Sequence, residues 1–348
     1  MNKRIGSRTT LLPLMLRRWW PEPPRVSRRS ISIGQENTMP GIHKVPVRLF
    51  LTLIATVASL LHLCSPIGAM GQMSEALASS ADASAAAPTP YIYWTNDKNG
   101  SVGRAAKTGA GVNDKFVPAV GGGVKGGGMT VDSQYVYWTS ANGGTAKTIL
   151  RAKLNGTGVN KHFITGALNP CGVTVNSSFI YWAGDVGMSL GRANLDGTGV
   201  DQNFIATGTG VCGVAVTSSH IYWANYQTGW IGRANLNGTG VNLHFIPTSA
   251  AAGVAIEGSY IYWANSSNGS IGRAKIGGTG VNQNFITGLN GEVVFLAVDS
   301  AHIYWADWGN RGTGTTLGRA NLNGTGVNQT FIKGTLGAFG IAVTAGSP

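Results

Sequence analysis

Charge is what this sequence has least of. Asp, Glu, Lys and Arg make up only 11% of the residues, against about a quarter in ordinary soluble domains. The formal charge of +12 is spread thinly: ten Lys/Arg and four Asp/Glu fall in residues 1–90, sixteen and ten in residues 91–348. Six of those sixteen are one arginine per internal repeat, and the remaining ten are balanced by the ten acids. That argues against a phosphate-binding patch and against nucleic acid as a partner. Helix-period patterning is also missing. So is a Gly-X-Y period, which excludes collagen despite 52 glycines. There is no G-x-S-x-G and no Ser/His/Asp order. "GGGVKGGG", ending at Gly128, lacks the P-loop pattern and a following helix, and reads as an inter-blade loop. His162, His220, His244 and His302 show no metal-ligand spacing, so no metal site and no cofactor are expected.

The one long apolar run, "VRLFLTLIATVASLLHL" from Val47 to Leu63, follows Lys44 and Arg48 and precedes "PIGAMGQ". This is the order of a secretory signal, with Ala69 and Gly71 placed as the small residues before cleavage, and its core is short for a membrane span. Residues 39–71 are therefore expected to act as a signal peptide, leaving no stable membrane span after cleavage, in a secreted, periplasmic or cell-envelope protein. Translation is expected to begin at Met39, which makes residues 1–38 an upstream extension. "SRRSISI" from Ser27 offers a rival twin-arginine signal, set far from the apolar core. Cys64 follows a large Leu63 where a lipidation signal wants a small residue. Residues 72–90, rich in Ala, Ser and Pro, read as a linker.

What is abundant is repetition. Tyr-Trp recurs with its tryptophan at Trp94, Trp138, Trp182, Trp223, Trp263 and Trp305. Behind each pair comes one arginine, at Arg104, Arg151, Arg192, Arg233, Arg273 and Arg319, then one phenylalanine, at Phe116, Phe163, Phe204, Phe245, Phe285 and Phe331. Each unit reads as four short strands. In the fourth these are "CGVAV", "HIYWA", "WIGRANL" and "LHFI", with an "NGTG" turn between the last two. Four antiparallel strands in a unit of about 40–45 residues make a propeller blade. The first unit starts directly at "YIYW" without its first strand, and the sequence ends in "FGIAVTAGSP", a first strand with no second after it. An all-β, six-bladed propeller over residues 91–348, closed by the C-terminal strand completing the first blade, is the expected architecture.

"YWTN", "YWTS", "YWAG", "YWAN", "YWAN" and "YWAD", each followed by a segment like "GRANLDGTG", resemble the class B (YWTD) repeats of low-density lipoprotein receptors. The resemblance spans residues 91–348 and implies a six-bladed propeller, here of a compact secreted type as in bacteria. The family's threonine is alanine in four copies and its aspartate is kept only at Asp307, with Asn96, Ser140, Gly184, Asn225 and Asn265 elsewhere. No cysteine-rich or growth-factor-like modules flank the repeats, so receptor function is not implied.

A residue present once per blade serves the blade. The tryptophans and phenylalanines are expected to fill the space between sheets. Each arginine is expected to stack on a tryptophan and to bond carbonyls or the Asn/Asp after "YWA". Cys171 and Cys212 hold the same column in consecutive units, with Gly127, Ala252, Val294 and Phe339. They face each other near the channel, as a disulfide or as two buried thiols. The sequons at Asn99, Asn155, Asn176, Asn237, Asn265, Asn268, Asn323 and Asn328 lie mostly in turns, where Asn, Gly and Thr serve the backbone. Function belongs to what varies, above all the loops joining second to third strands and fourth to first strands, which share the face at the channel mouth. Tyr226, Trp230, Asp307, Trp308, Asn310 and Arg311 break the pattern there, as exposed aromatics beside an arginine. The expected activity is binding of a protein, peptide or glycan by a monomeric module. The alternative is a propeller hydrolase or lyase that uses the channel, with Ca²⁺ held by acidic groups such as Glu292.

Overall fold

The computed structural model describes residues 90–119, 126–140, 147–185, 187–309 and 312–344. The leader, Cys64 and the linker up to residue 89 lie outside the described residues, as do Asn310 and Arg311. Short runs of β-branched and aromatic residues, punctuated by Asn, Gly and Thr, give strands and no helix among the described residues. They form six four-stranded antiparallel sheets. Blade 1 orders Ala338–Val343, Tyr91–Asn96, Val102–Ala106 and Asn113–Val117 from axis to rim. Blades 2 to 6 cover 126–165, 170–206, 211–247, 251–286 and 293–333, each in chain order from axis to rim.

The ring closes as the sequence implied. Ile92 pairs with Val343, Tyr93 with Ala342 and Trp94 with Ile341. The Tyr91 amide donates to Thr344 Oγ1 at 2.9 Å, and the Thr344 amide returns a bond to the Tyr91 carbonyl at 3.0 Å. Thr95 Oγ1 accepts from the Gly340 amide and donates to the Gly127 carbonyl, tying blade 1 to blade 2. At the seam between blades 6 and 1, Lys107 Nζ meets Asp299 at 2.8 Å.

Strand period decides how neighbouring blades meet, because adjacent residues point to opposite faces. Each motif tyrosine faces the next blade and each motif tryptophan the preceding one. Tyr93 thus shares a cluster with Trp138, Tyr137 with Trp182, and so round to Tyr304 with Trp94. All twelve rings are fully buried. Truncating such a ring costs roughly 3–5 kcal/mol. Directly across the hairpin from Trp94 lies Gly103, and a Cβ there would overlap the indole. The same holds for Gly191, Gly232, Gly272 and Gly318. Blade 2 departs, with Leu150 opposite Trp138, whose indole nitrogen has no partner.

The arginines sit opposite the tyrosines, not the tryptophans. This corrects the expected stacking partner. Arg104 lies 3.9 Å from the Phe116 ring centroid and Arg273 3.8 Å from that of Phe285, and the other four stack on their own phenylalanines likewise. Arg104, Arg151, Arg273 and Arg319 also donate to a carbonyl of the following blade, those of Leu154, Leu195, Leu322 and Lys107. The turn between third and fourth strands has the same purpose: Gly156 of "NGTG", at φ 84°, rests on Phe116 of the blade before, and Gly109 of the blade 1 turn "TGAG" on Phe331 across the seam. Asn155, Asn237 and Asn323 accept bonds from the Thr two residues on, and Asp196 does so in blade 3, while blade 5 forms the turn with Gly277 at that position.

Candidate functional site

Six innermost strands surround the axis, and five carry glycine where they approach most closely: Gly128, Gly172, Gly213, Gly253 and Gly340. A Cβ at Gly253 would come within 2.5 Å of the Val294 carbonyl, so the neighbouring backbone leaves no room. This corrects the reading of "GGGVKGGG" as a loop throughout, since Gly126–Val131 is the innermost strand of blade 2. The sixth blade places Phe295 in the glycine column, and its ring reaches Gly128 across the axis. Phe295 packs on Phe339 at 5.4 Å between centroids. Cys171 and Cys212 join in a disulfide with Cα atoms 4.9 Å apart, within the usual bridging range. With Ala252 and Val294 they form one apolar plug. The channel continues below it as a cavity of about 180 Å³ lined by Val131, Val216, Val298 and Val343.

Above the plug lies the mouth. In blades 1, 3, 4 and 6 the residue after the Tyr-Trp-x-x motif is fixed there by its backbone. The amides of Asp97, Asp185, Tyr226 and Trp308 donate to the carbonyls of Gly337, Asn169, Gly210 and Glu292, each just ahead of that blade's innermost strand. The backbone is repeated while the side chains differ. Tyr226 Oη donates to Asp185 at 2.9 Å, from blade 4 to blade 3. Trp308 Nε1 donates to Asp97 at 3.4 Å, from blade 6 to blade 1. The two aspartate–aromatic pairs therefore lie on opposite sides of the mouth. Asp185 is only 4% exposed, and burial pushes its carboxyl up to about 6 against the opposing Tyr226 bond. Burial and the Asp185 carboxylate also push the Tyr226 phenol up, so it stays protonated.

The expected site residues separate. Tyr226 is half-buried at the mouth, against the plug. Trp308 also reaches the mouth, but as a buried ring 5.2 Å from Phe339, which corrects its reading as an exposed contact. The Asp307 carboxylate already accepts from the Gly309 amide and from Thr316 Oγ1, and so shapes its loop. Trp230 turns toward the rim and meets His244 edge-on at 5.1 Å. The histidines form two equivalent pairs: His220 and His302 begin second strands, while His162 and His244 sit in outermost strands. Among the described residues no three His, Cys, Asp or Glu side chains gather as a metal site. Asp97, Asp185 and Phe295 were missed. Their signal was present: two acids at one offset from the motif, and a lone phenylalanine in a glycine column.

No family model and no curated protein matches this sequence. Solved structures do match. A structure of a nidogen/laminin complex aligns at 16% identity and a TM-score of 0.59, covering 73% of this chain and 97% of that one. A streptogramin B lyase aligns at 18% identity and a TM-score of 0.47, covering 62% and 72%. A catalytically inactive virginiamycin B lyase from Staphylococcus aureus with quinupristin aligns at 16% and 0.46, covering 68% and 76%. At these identities the likeness shows the fold alone.

Proposed function

We propose that this chain is an extracytoplasmic binding module that engages a protein or peptide partner over the mouth of its ring. The observation that carries this reading is the contrast between a repeated backbone and unrepeated side chains at one offset: Asp97, Asp185, Tyr226 and Trp308 above a closed floor. A buried carboxylate held far from its ordinary titration range is unfavourable for folding, and such groups concentrate at functional sites. The plug of Phe295, Phe339 and the disulfide favours a surface that receives a partner over a channel that admits a substrate. A similarly folded chain was solved within a nidogen/laminin complex, an assembly of two proteins. The Val47–Leu63 leader and the Cys171–Cys212 disulfide support the oxidising side of a membrane.

The test is cross-linking in native extracts with a photoreactive group placed at Ser266, which follows the blade 5 motif at the mouth. One protein band captured by the natural chain, and lost in Tyr226→Ala and Asp185→Ala variants of unchanged circular dichroism, is the expected result. Capture that is indifferent to both substitutions contradicts the reading.

A further inference from the structure

The opposite end of the ring, where first strands turn into second strands, holds a cleft of about 450 Å³ between blades 2 and 3. Asp132, Gln134, Tyr135, Tyr137, Asn176 and Leu195 are among the residues that line it. This volume lies within the range of small-ligand sites, about 300–1,000 Å³. The seam between blades 6 and 1 shows what the same position looks like when it is filled.

Asp132 and Asp299 are equivalent residues. Each follows an innermost strand, each caps the turn by accepting from the amides two and three residues on, and each accepts the phenol of its blade's motif tyrosine. Lys107 and Leu195 are equivalent as well, since the carbonyl of each accepts the arginine of the preceding blade, Arg319 and Arg151. In the filled seam the Lys107 ammonium binds Asp299 at 2.8 Å, with both side chains largely buried. In the cleft a leucine takes the place of that lysine. Among the described residues no Lys or Arg nitrogen reaches ion-pair distance of Asp132, and Asp132 remains partly exposed. Arg151 does not exclude a second cation, because Arg319 occupies the same place beside Lys107.

We infer that the cleft between blades 2 and 3 binds a primary alkylammonium group, held by Asp132 beside Tyr135 and Tyr137 as Lys107 is held by Asp299 in the seam of blades 6 and 1. Asp132 supplies a charge-assisted acceptor that the Tyr137 phenol orients at 2.9 Å. Leu195, Val131 and Val175 line the cleft with apolar surface for the alkyl stem. The group can come from a free alkylamine or from a lysine side chain of a peptide.

The test titrates the whole folded protein with n-butylamine and, separately, with N-acetyl-lysine amide, following backbone amide signals by NMR. Saturable shifts at Ser133, Gln134 and Ser177 with either probe are expected, and the tighter probe identifies the source. Asp132→Asn should weaken binding at least tenfold, whereas Asp299→Asn should leave the cleft's affinity unchanged. Leu195→Lys supplies the ammonium from within, and should abolish probe binding and raise the melting temperature. No saturable shift with either probe overturns the inference, as does full binding by a folded Asp132→Asn or Leu195→Lys protein. If Asp132→Asn fails to fold, Leu195→Lys alone decides.

Discussion

Arg273 lies 3.8 Å from the Phe285 ring centroid and 4.5 Å from that of Tyr260, and donates to the Leu322 carbonyl of the next blade. A planar guanidinium can stack and donate sideways at once, whereas an ammonium on a flexible stem cannot reproduce both. Arg273→Lys should therefore cost about 1–2 kcal/mol, combining a stacked cation with a lost hydrogen bond. A urea denaturation midpoint unchanged from the natural protein would show the contacts to be idle. Asp185 is a different residue-scale case. Its carboxyl titrates at about 6 when folded and at 3.8 as the reference, so the native state holds the extra proton between those values. Its contribution to stability is therefore greatest below pH 4 and is lost as pH rises toward 6. Asp185→Asn, which cannot ionise, should be more stable than the natural protein at pH 8, by on the order of 3 kcal/mol. The gap should close near pH 4. Chemical denaturation at the two pH values measures it, and equal gaps would mean that Asp185 does not carry this burial cost.

At the scale of strands, the unpaired edge matters most. Without Ala338–Val343, the strand Tyr91–Asn96 would expose a row of backbone donors and acceptors, and Thr95 would lose its bond from Gly340. A chain ending at Leu336 is expected to lose its fold, seen as aggregates on size exclusion and a weakened β signal in circular dichroism. A folded monomer would contradict the pairing. The blades were legible because their signals are local: a strand of alternating residues, an Asn-Gly turn, one Tyr-Trp pair. Register was not. A one-residue offset sets Trp94 opposite Gly103 and Tyr93 opposite Arg104, and only that offset tells which ring the arginine meets. The site was half legible for a related reason. Tyr226 and Trp308 stood out as aromatics in variable loops, but whether such a ring faces water or the plug depends on other blades: Trp308 meets Phe339 of blade 1, and Tyr226 packs against the cluster that holds Phe295 of blade 6.

For the molecule as a whole, the circle is what gives every blade two neighbours. Six equivalent interfaces repeat one pattern, tyrosine from one blade beside tryptophan from the next, and the sixth joins residues from the two ends of the ring, Tyr304 and Trp94. The Lys107–Asp299 pair and the contact of Gly109 with Phe331 lie at that same join. Closure fixes the axis, the axis fixes the mouth, and the mouth collects the residues that the repeat leaves free to vary. The most direct measurement is a methyl NOESY spectrum of the intact protein with labelled isoleucine and valine. Ile92 and Val343 are directly paired across the closing strands, so a cross-peak between their methyl groups is predicted. Its absence, in a spectrum that shows the corresponding Ile221–Val216 contact within blade 4, would contradict the closed ring.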